Sequence, residues 1–170
     1  MIVNLQRKLE RGSAQQHQQH QIEAAAAPFH DAEILPQGSI RVATPPAGPV
    51  STWPLYKEGA WWCQDASATI PAIALYQAVS HCGSVAVDGM HVIDLCAAPG
   101  GKTAQLSNYG FRSVTAVEVS ANRCKRLRQN MERLQMQWSI VIADGCEWSP
   151  PAGALIDAVL VDVQQRASHY

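Results

Sequence analysis

Val92-Ile93-Asp94-Leu95-Cys96-Ala97-Ala98-Pro99-Gly100-Gly101-Lys102-Thr103 is the stretch that decides how this 170-residue chain is read. The mainly apolar run Met90 to Leu95 has the length of a buried strand and is too short for most helices. It breaks into small residues, a proline and two glycines, and a helix-compatible segment begins at Lys102. Strand, tight turn and helix together present backbone N–H groups at a helix N-terminus, where part of a cofactor can be held. Pro99 fixes one φ angle of the turn, while Gly100 and Gly101 allow conformations closed to other residues.

Downstream, Val114 to Val119 alternates as a second strand containing Glu118, 17 residues after Gly101. Ser120 is a helix cap, and Ala121 to about Leu134 follows with Leu127, Met131 and Leu134 on one stripe and arginines on the other. Trp138 to Ala143 reads as a third strand followed by Asp144. Ile156 to Asp162 reads as a fourth, ending on a carboxylate. Strands alternating with helices imply α/β architecture with a parallel sheet, whose ligands sit at the C-terminal strand edges. Glu118, Asp144 and Asp162 all fall at that edge.

Upstream, Asp65 or Ser67 caps a helix running to about Ser80, with Pro71 expected in its first turn. The region from 1 to 54 reads as a lead-in. Residues 1 to 33 are expected to be poorly structured, with a Gln/His tract from Ala14 to Gln21 that suits at most a frayed helix. Leu35 to Pro54 is loop-rich, with one short strand around Ile40-Arg41-Val42. His17 and His20 lack a third ligand, so no metal is assigned. Trp61 and Trp62 have two open roles, core packing and base stacking. The basic face of the Ala121–Leu134 helix likewise reads as solvated surface or as an RNA contact.

The net charge of −1 argues neither for nor against a nucleic-acid partner. No stretch approaches the roughly 18 apolar residues of a membrane span, and the first residues have no signal-peptide core. Five cysteines without a C-x-x-C pair suit reduced thiols and a cytoplasmic protein.

Two well-known loops fit the central turn poorly. A P-loop needs a glycine where Cys96 stands, and the G-x-G-x-x-G of dinucleotide folds is absent. D-L-C-A-A-P-G-G-K-T, from Asp94 to Thr103, instead resembles the S-adenosylmethionine motif of the Sun/Fmu and nucleolar Nop-type RNA cytosine-5 methyltransferases. The segment Glu58-Gly59 through Gln64-Asp65 to Ala68 resembles that family too, and the similarity runs from about Leu35 to Asp162. The resemblance implies a class I methyltransferase sheet, of which the first four strands are encoded, and S-adenosylmethionine as cofactor. It implies RNA, ribosomal RNA in particular, as partner. Cofactor contacts are expected from Cys96, Ala97, Ala98, Pro99, Gly100, Gly101 and Lys102. Glu118 would accept from ribose hydroxyls, Asp144 from the adenine amine, and Asp162 completes the set.

The same family carries D-x-P-C after the fourth strand and a later T-C pair. The second cysteine is the nucleophile, because cytosine C5 accepts a methyl only after a thiolate adds to C6. Here Asp162-Val163 runs into Gln164-Gln165-Arg166-Ala167-Ser168-His169-Tyr170, with neither pair. The expectation is a methyltransferase domain over 55 to 163, an aberrant tail over 164 to 170, and no catalytic cysteine. A non-catalytic cofactor- or RNA-binding module is the alternative. A nucleotide-binding oxidoreductase or NTPase is disfavoured by the missing glycines.

Overall fold

A computed structural model describes residues 3–7, 15–82 and 86–163. The tail from Gln164 to Tyr170 lies outside the described residues. Two four-stranded sheets divide the chain.

The second sheet carries the central turn. Strands β5 (His91–Leu95), β6 (Ser113–Glu118), β7 (Ser139–Ile142) and β8 (Ala158–Val161) pair in parallel in the order β7-β6-β5-β8. A parallel strand is covered on both faces, so β5 reads as a nearly continuous apolar run with Val92 and Ile93 buried. On one face α2 (Ala66–Cys82) and α3 (Gly101–Asn108) enclose Ala72, Val92, Leu106, Phe111, Val114 and Leu160. On the other, α4 (Ala121–Arg133) presses Leu127 and Met131 against Ala116 and Ala98. Chain order reverses at β5, which has β6 on one side and β8 on the other. That switch point opens a crevice beyond the strand's C-terminal end, and the Cys96–Gly100 turn leaves β5 into it.

The first sheet corrects the expectation of a poorly structured lead-in. Strand β1 (Val3–Arg7) pairs antiparallel with β3 (Ile40–Val42) and with β4 (Trp61–Cys63), and β2 (Ala32–Ile34) pairs with β3. The polar tract forms α1 (Gln15–Ala26), a full helix. Ala25, Ala26 and Phe29, at and just beyond its end, pack with Ile40, Val42, Trp53 and Trp61. Trp61 is the hub: it is fully buried, meets the rings of Phe29, Trp53 and Tyr56, and donates its indole N–H to Pro54 O at 2.9 Å. Side chains alternate across a strand, so Trp62 points to the α4 cluster instead. Both tryptophans are core residues.

The two sheets meet at the last turn of α4. One guanidinium N–H group of Arg133 donates to Tyr56 O at 2.8 Å and Trp61 O at 3.0 Å, and its carbon lies 3.9 Å from the Tyr56 ring centroid. Helix α2 starts at Ala66, so Pro71 lies in its second turn rather than its first. Helix α4 begins after Ser120, whose hydroxyl accepts from Arg123 N–H as its cap.

Candidate functional site

The turn after β5 is built from local chemistry and held from below. Cys96 and Gly100 adopt positive φ angles of 62° and 103°, and the Ala98–Pro99 peptide is cis. Gly100 N–H closes a turn onto Ala97 O at 2.8 Å. An added Cβ at Gly100 would lie 3.1 Å from Leu127 Cγ, so glycine is needed for both conformation and space. Helix α4 supports the turn along one face. Arg123 donates to Ala98 O, Leu127 packs under Gly100, and Asn130 donates to Pro99 O at 3.1 Å. The spacing i, i+4, i+7 is one stripe of a helix.

Helix α3 starts at Gly101 with no side-chain cap for its first N–H groups, and Gly101 and Lys102 border the crevice. The Gly101 position packs against Gln64, which anchors a buried amide network. Trp62 donates to Gln64 at 2.9 Å, Gln64 to Gln105 at 3.0 Å, and Gln105 to Thr69 O at 3.1 Å and the Tyr109 hydroxyl at 2.8 Å. The network joins β4, α2 and α3 around the turn.

Three carboxylates surround it. Glu118, at the end of β6, is 2% exposed and accepts from Ala98 N–H at 3.3 Å, Ser120 N–H at 3.0 Å and Arg123 at 3.3 Å. Asp162 accepts from Lys102 at 2.9 Å across the mouth of the crevice. Asp94, in β5, accepts from the Thr103 hydroxyl at 2.6 Å, and burial pushes its carboxyl up to about 6. The neighbouring Asp162 and Glu118 charges push the same way, while Thr103 and Lys102 oppose. No thiol on this wall is activated. Burial raises Cys63 to about 11, and burial followed by the Glu118 charge raises Cys96.

A cleft of about 1370 Å³ gathers these elements. Cys96, Ala97, Ala98, Pro99, Gly100, Gly101, Lys102 and Asp162 line it, and Glu118 stands immediately behind Ala98. Asp144 does not line it. Its side chain is exposed and accepts from Cys146 N–H at 2.9 Å, capping the turn after β7. Arg123, Asn130 and the Gln64–Gln105 pair escaped the sequence reading. For Arg123 and Asn130 the available signal was their spacing around Leu127 on α4. For Asp94 it was a single acid inside an apolar strand.

Comparisons with known proteins agree with this geometry. Residues 85–167 match the family model described as 16S rRNA methyltransferase RsmB/F. The chain is similar to ribosomal RNA small subunit methyltransferase B of Salmonella newport (strain SL254), with 35% identity over 132 residues, covering 76% of this chain and 28% of that protein. The Enterobacter sp. (strain 638) protein of the same name is 35% identical over 134 residues, with 76% and 28% covered. The chain thus spans 28% of the length of these relatives. In fold it is similar to a methyltransferase homolog from Pyrococcus horikoshii, with TM-score 0.64 and 21% identity over 84% of this chain and 44% of that one. PH0851 gives 0.60 and 19%, over 86% and 31%. The architecture is therefore that of class I methyltransferases. With its parallel sheet and the D-L-C-A-A-P-G-G-K-T turn lying within these matches, the chain belongs to the RsmB/F (Sun/Fmu) methyltransferase family.

Proposed function

We propose that this chain carries the S-adenosylmethionine-binding part of an RNA (cytosine-5) methyltransferase that acts on small-subunit ribosomal RNA in the cytoplasm. One observation carries the reading: an uncapped helix N-terminus, a glycine turn and a buried strand-end carboxylate converge at the switch point of a parallel sheet. The residues fit an adenosyl amino acid. The first N–H groups of α3 suit its carboxylate, and the left-handed backbone of Gly100 brings the chain into that helix start. Glu118, with four lone-pair sites for its present donors, can accept from ribose hydroxyls. The Arg123 contact is the exposed one of those donors and the one a ribose would displace. Asp144 belongs to the adenine side of the same reading. When bound, the cofactor supplies an electrophilic methyl group. The chain's own residues hold it, and Lys102 paired with Asp162 keeps a charged rim at the crevice mouth.

The names of the relatives support ribosomal RNA as substrate. Cytosine C5 requires thiolate addition at C6 before it attacks a methyl group. Gln164 and Gln165 stand where the family has Pro-Cys. The thiols that do line the cleft, Cys63 and Cys96, are both shifted away from the thiolate form. That observation favours, as a second reading, a role for these 170 residues in binding rather than turnover. Calorimetry with S-adenosylmethionine, S-adenosylhomocysteine, NAD and ATP tests the assignment. Binding of the first two in preference to the others supports it, and preference for ATP or NAD overturns it.

A further inference from the structure

We infer that the exposed face of α4 forms a phosphate-binding wall along which a single RNA strand runs toward the cofactor turn. The inference rests on the reading of the chain as an RNA methyltransferase and assigns that substrate a surface. The chain as a whole is almost neutral, at −1, yet α4 holds five of its 13 lysines and arginines against one acid, Glu132. These cations divide by direction. Arg123 is committed to Glu118 and Ala98 O, and Arg133 to the carbonyls of Tyr56 and Trp61. Lys125 and Arg126 are exposed, line the same cleft as the Cys96–Lys102 turn, and form no ion pair among the described residues. Arg128 is also exposed but does not line the cleft.

Two unpaired cations at adjacent positions, with the amide of Gln129 on the same wall, present charge and hydrogen-bond donors. That combination matches a phosphodiester backbone, which positions a strand without specifying sequence. A bilayer is a poor occupant, because the apolar residues of α4, Cys124, Leu127 and Met131, are buried and leave nothing on the helix to insert. An acidic protein is answered by the test.

The experiment follows anisotropy of a fluorescein-labelled single-stranded RNA of mixed sequence, titrated with the full 170-residue chain between about 50 and 200 mM KCl. A single-strand phosphate contact contributes roughly 0.7 to the slope of log affinity against log salt. The double variant Lys125→Gln/Arg126→Gln should therefore lower the slope by about 1.4, while Arg128→Gln leaves it unchanged. An unchanged slope in the double variant, or an equal loss in Arg128→Gln, overturns the wall. Poly-glutamate competing as well as unlabelled RNA also overturns it, in favour of an acidic protein partner. S-adenosylhomocysteine affinity on the same samples separates the two claims. A wild-type chain with the expected slope response but no cofactor binding supports the wall and removes the cofactor reading.

Discussion

Replacing Gly59 by alanine should open the seam between the two sheets, and the structure supplies its own control. Gly59 ends the turn that begins at Tyr56, with φ +68°. A Cβ there would lie 2.1 Å from Arg133 O, 3.0 Å from Arg133 C and 3.1 Å from Leu134 Cα. All three are backbone atoms of the last turn of α4, so no rotamer change relieves the contact. That turn is fixed by the Arg133 guanidinium on Tyr56 O and Trp61 O. Gly110 has a similar φ of +88° with nothing within 4 Å of the added carbon. Left-handed backbone costs a non-glycine residue about 1–2 kcal/mol, and overpacking adds about 1–3 kcal/mol or more. Gly110→Ala should therefore cost about 1–2 kcal/mol, and Gly59→Ala about 2–5 kcal/mol. The larger figure is a substantial part of the roughly 5–15 kcal/mol that holds a domain folded. Urea unfolding followed by tryptophan fluorescence reads both variants. Equal losses would refute the packing of β4 against α4 described above.

Glu118→Ala removes a charge-assisted acceptor, so calorimetry should show S-adenosylmethionine affinity falling roughly ten- to hundredfold, about 1.5–3 kcal/mol; unchanged affinity removes Glu118 from the site. Asp94 is raised from an ordinary 3.8 to about 6. Between those values the unfolded chain releases a proton that the folded chain keeps, so stability should fall as pH rises, by roughly 3 kcal/mol in all. Asp94→Asn should flatten that part of the stability–pH curve, and an unaltered slope in the variant assigns the dependence elsewhere. The 170-residue polypeptide should transfer no tritiated methyl group to unmodified ribosomal RNA under conditions where an intact relative does. Turnover that survives loss of all five cysteines would show a non-thiol mechanism.

The second sheet was legible because its signals are local. The β5 run, the Pro-Gly-Gly turn and the Ser120 cap each declare themselves within a few residues, and α4 carries one unbroken apolar stripe. The first sheet was not. Strands β2, β3 and β4 have three residues each, too few for alternation to emerge, and α1 is a polar tract with little amphipathic pattern. Its core is supplied by Trp53 and Trp61, far along the chain from the helix end they cover. The site divides in the same way. Strand-end logic located Glu118 and Asp162 at the sheet edge, but could not show that Asp144 turns to cap its own loop. Nor could it reveal Arg123 reaching across 25 residues to Ala98 O, or a Gln64–Gln105 bond spanning 41. Such contacts are made by tertiary packing and leave no local pattern.

Whether the turn between β5 and α3 holds S-adenosylmethionine is decided by the backbone amide resonances of the isotopically labelled chain, followed during titration with S-adenosylhomocysteine. Saturable shifts are expected at the amides from Ala97 to Thr103, at Ser120 beside Glu118, and near Asp144 and Asp162, with the amides of β2 and β3 unmoved. Saturation without shifts in that turn, or shifts centred on the first sheet, would contradict binding at the turn.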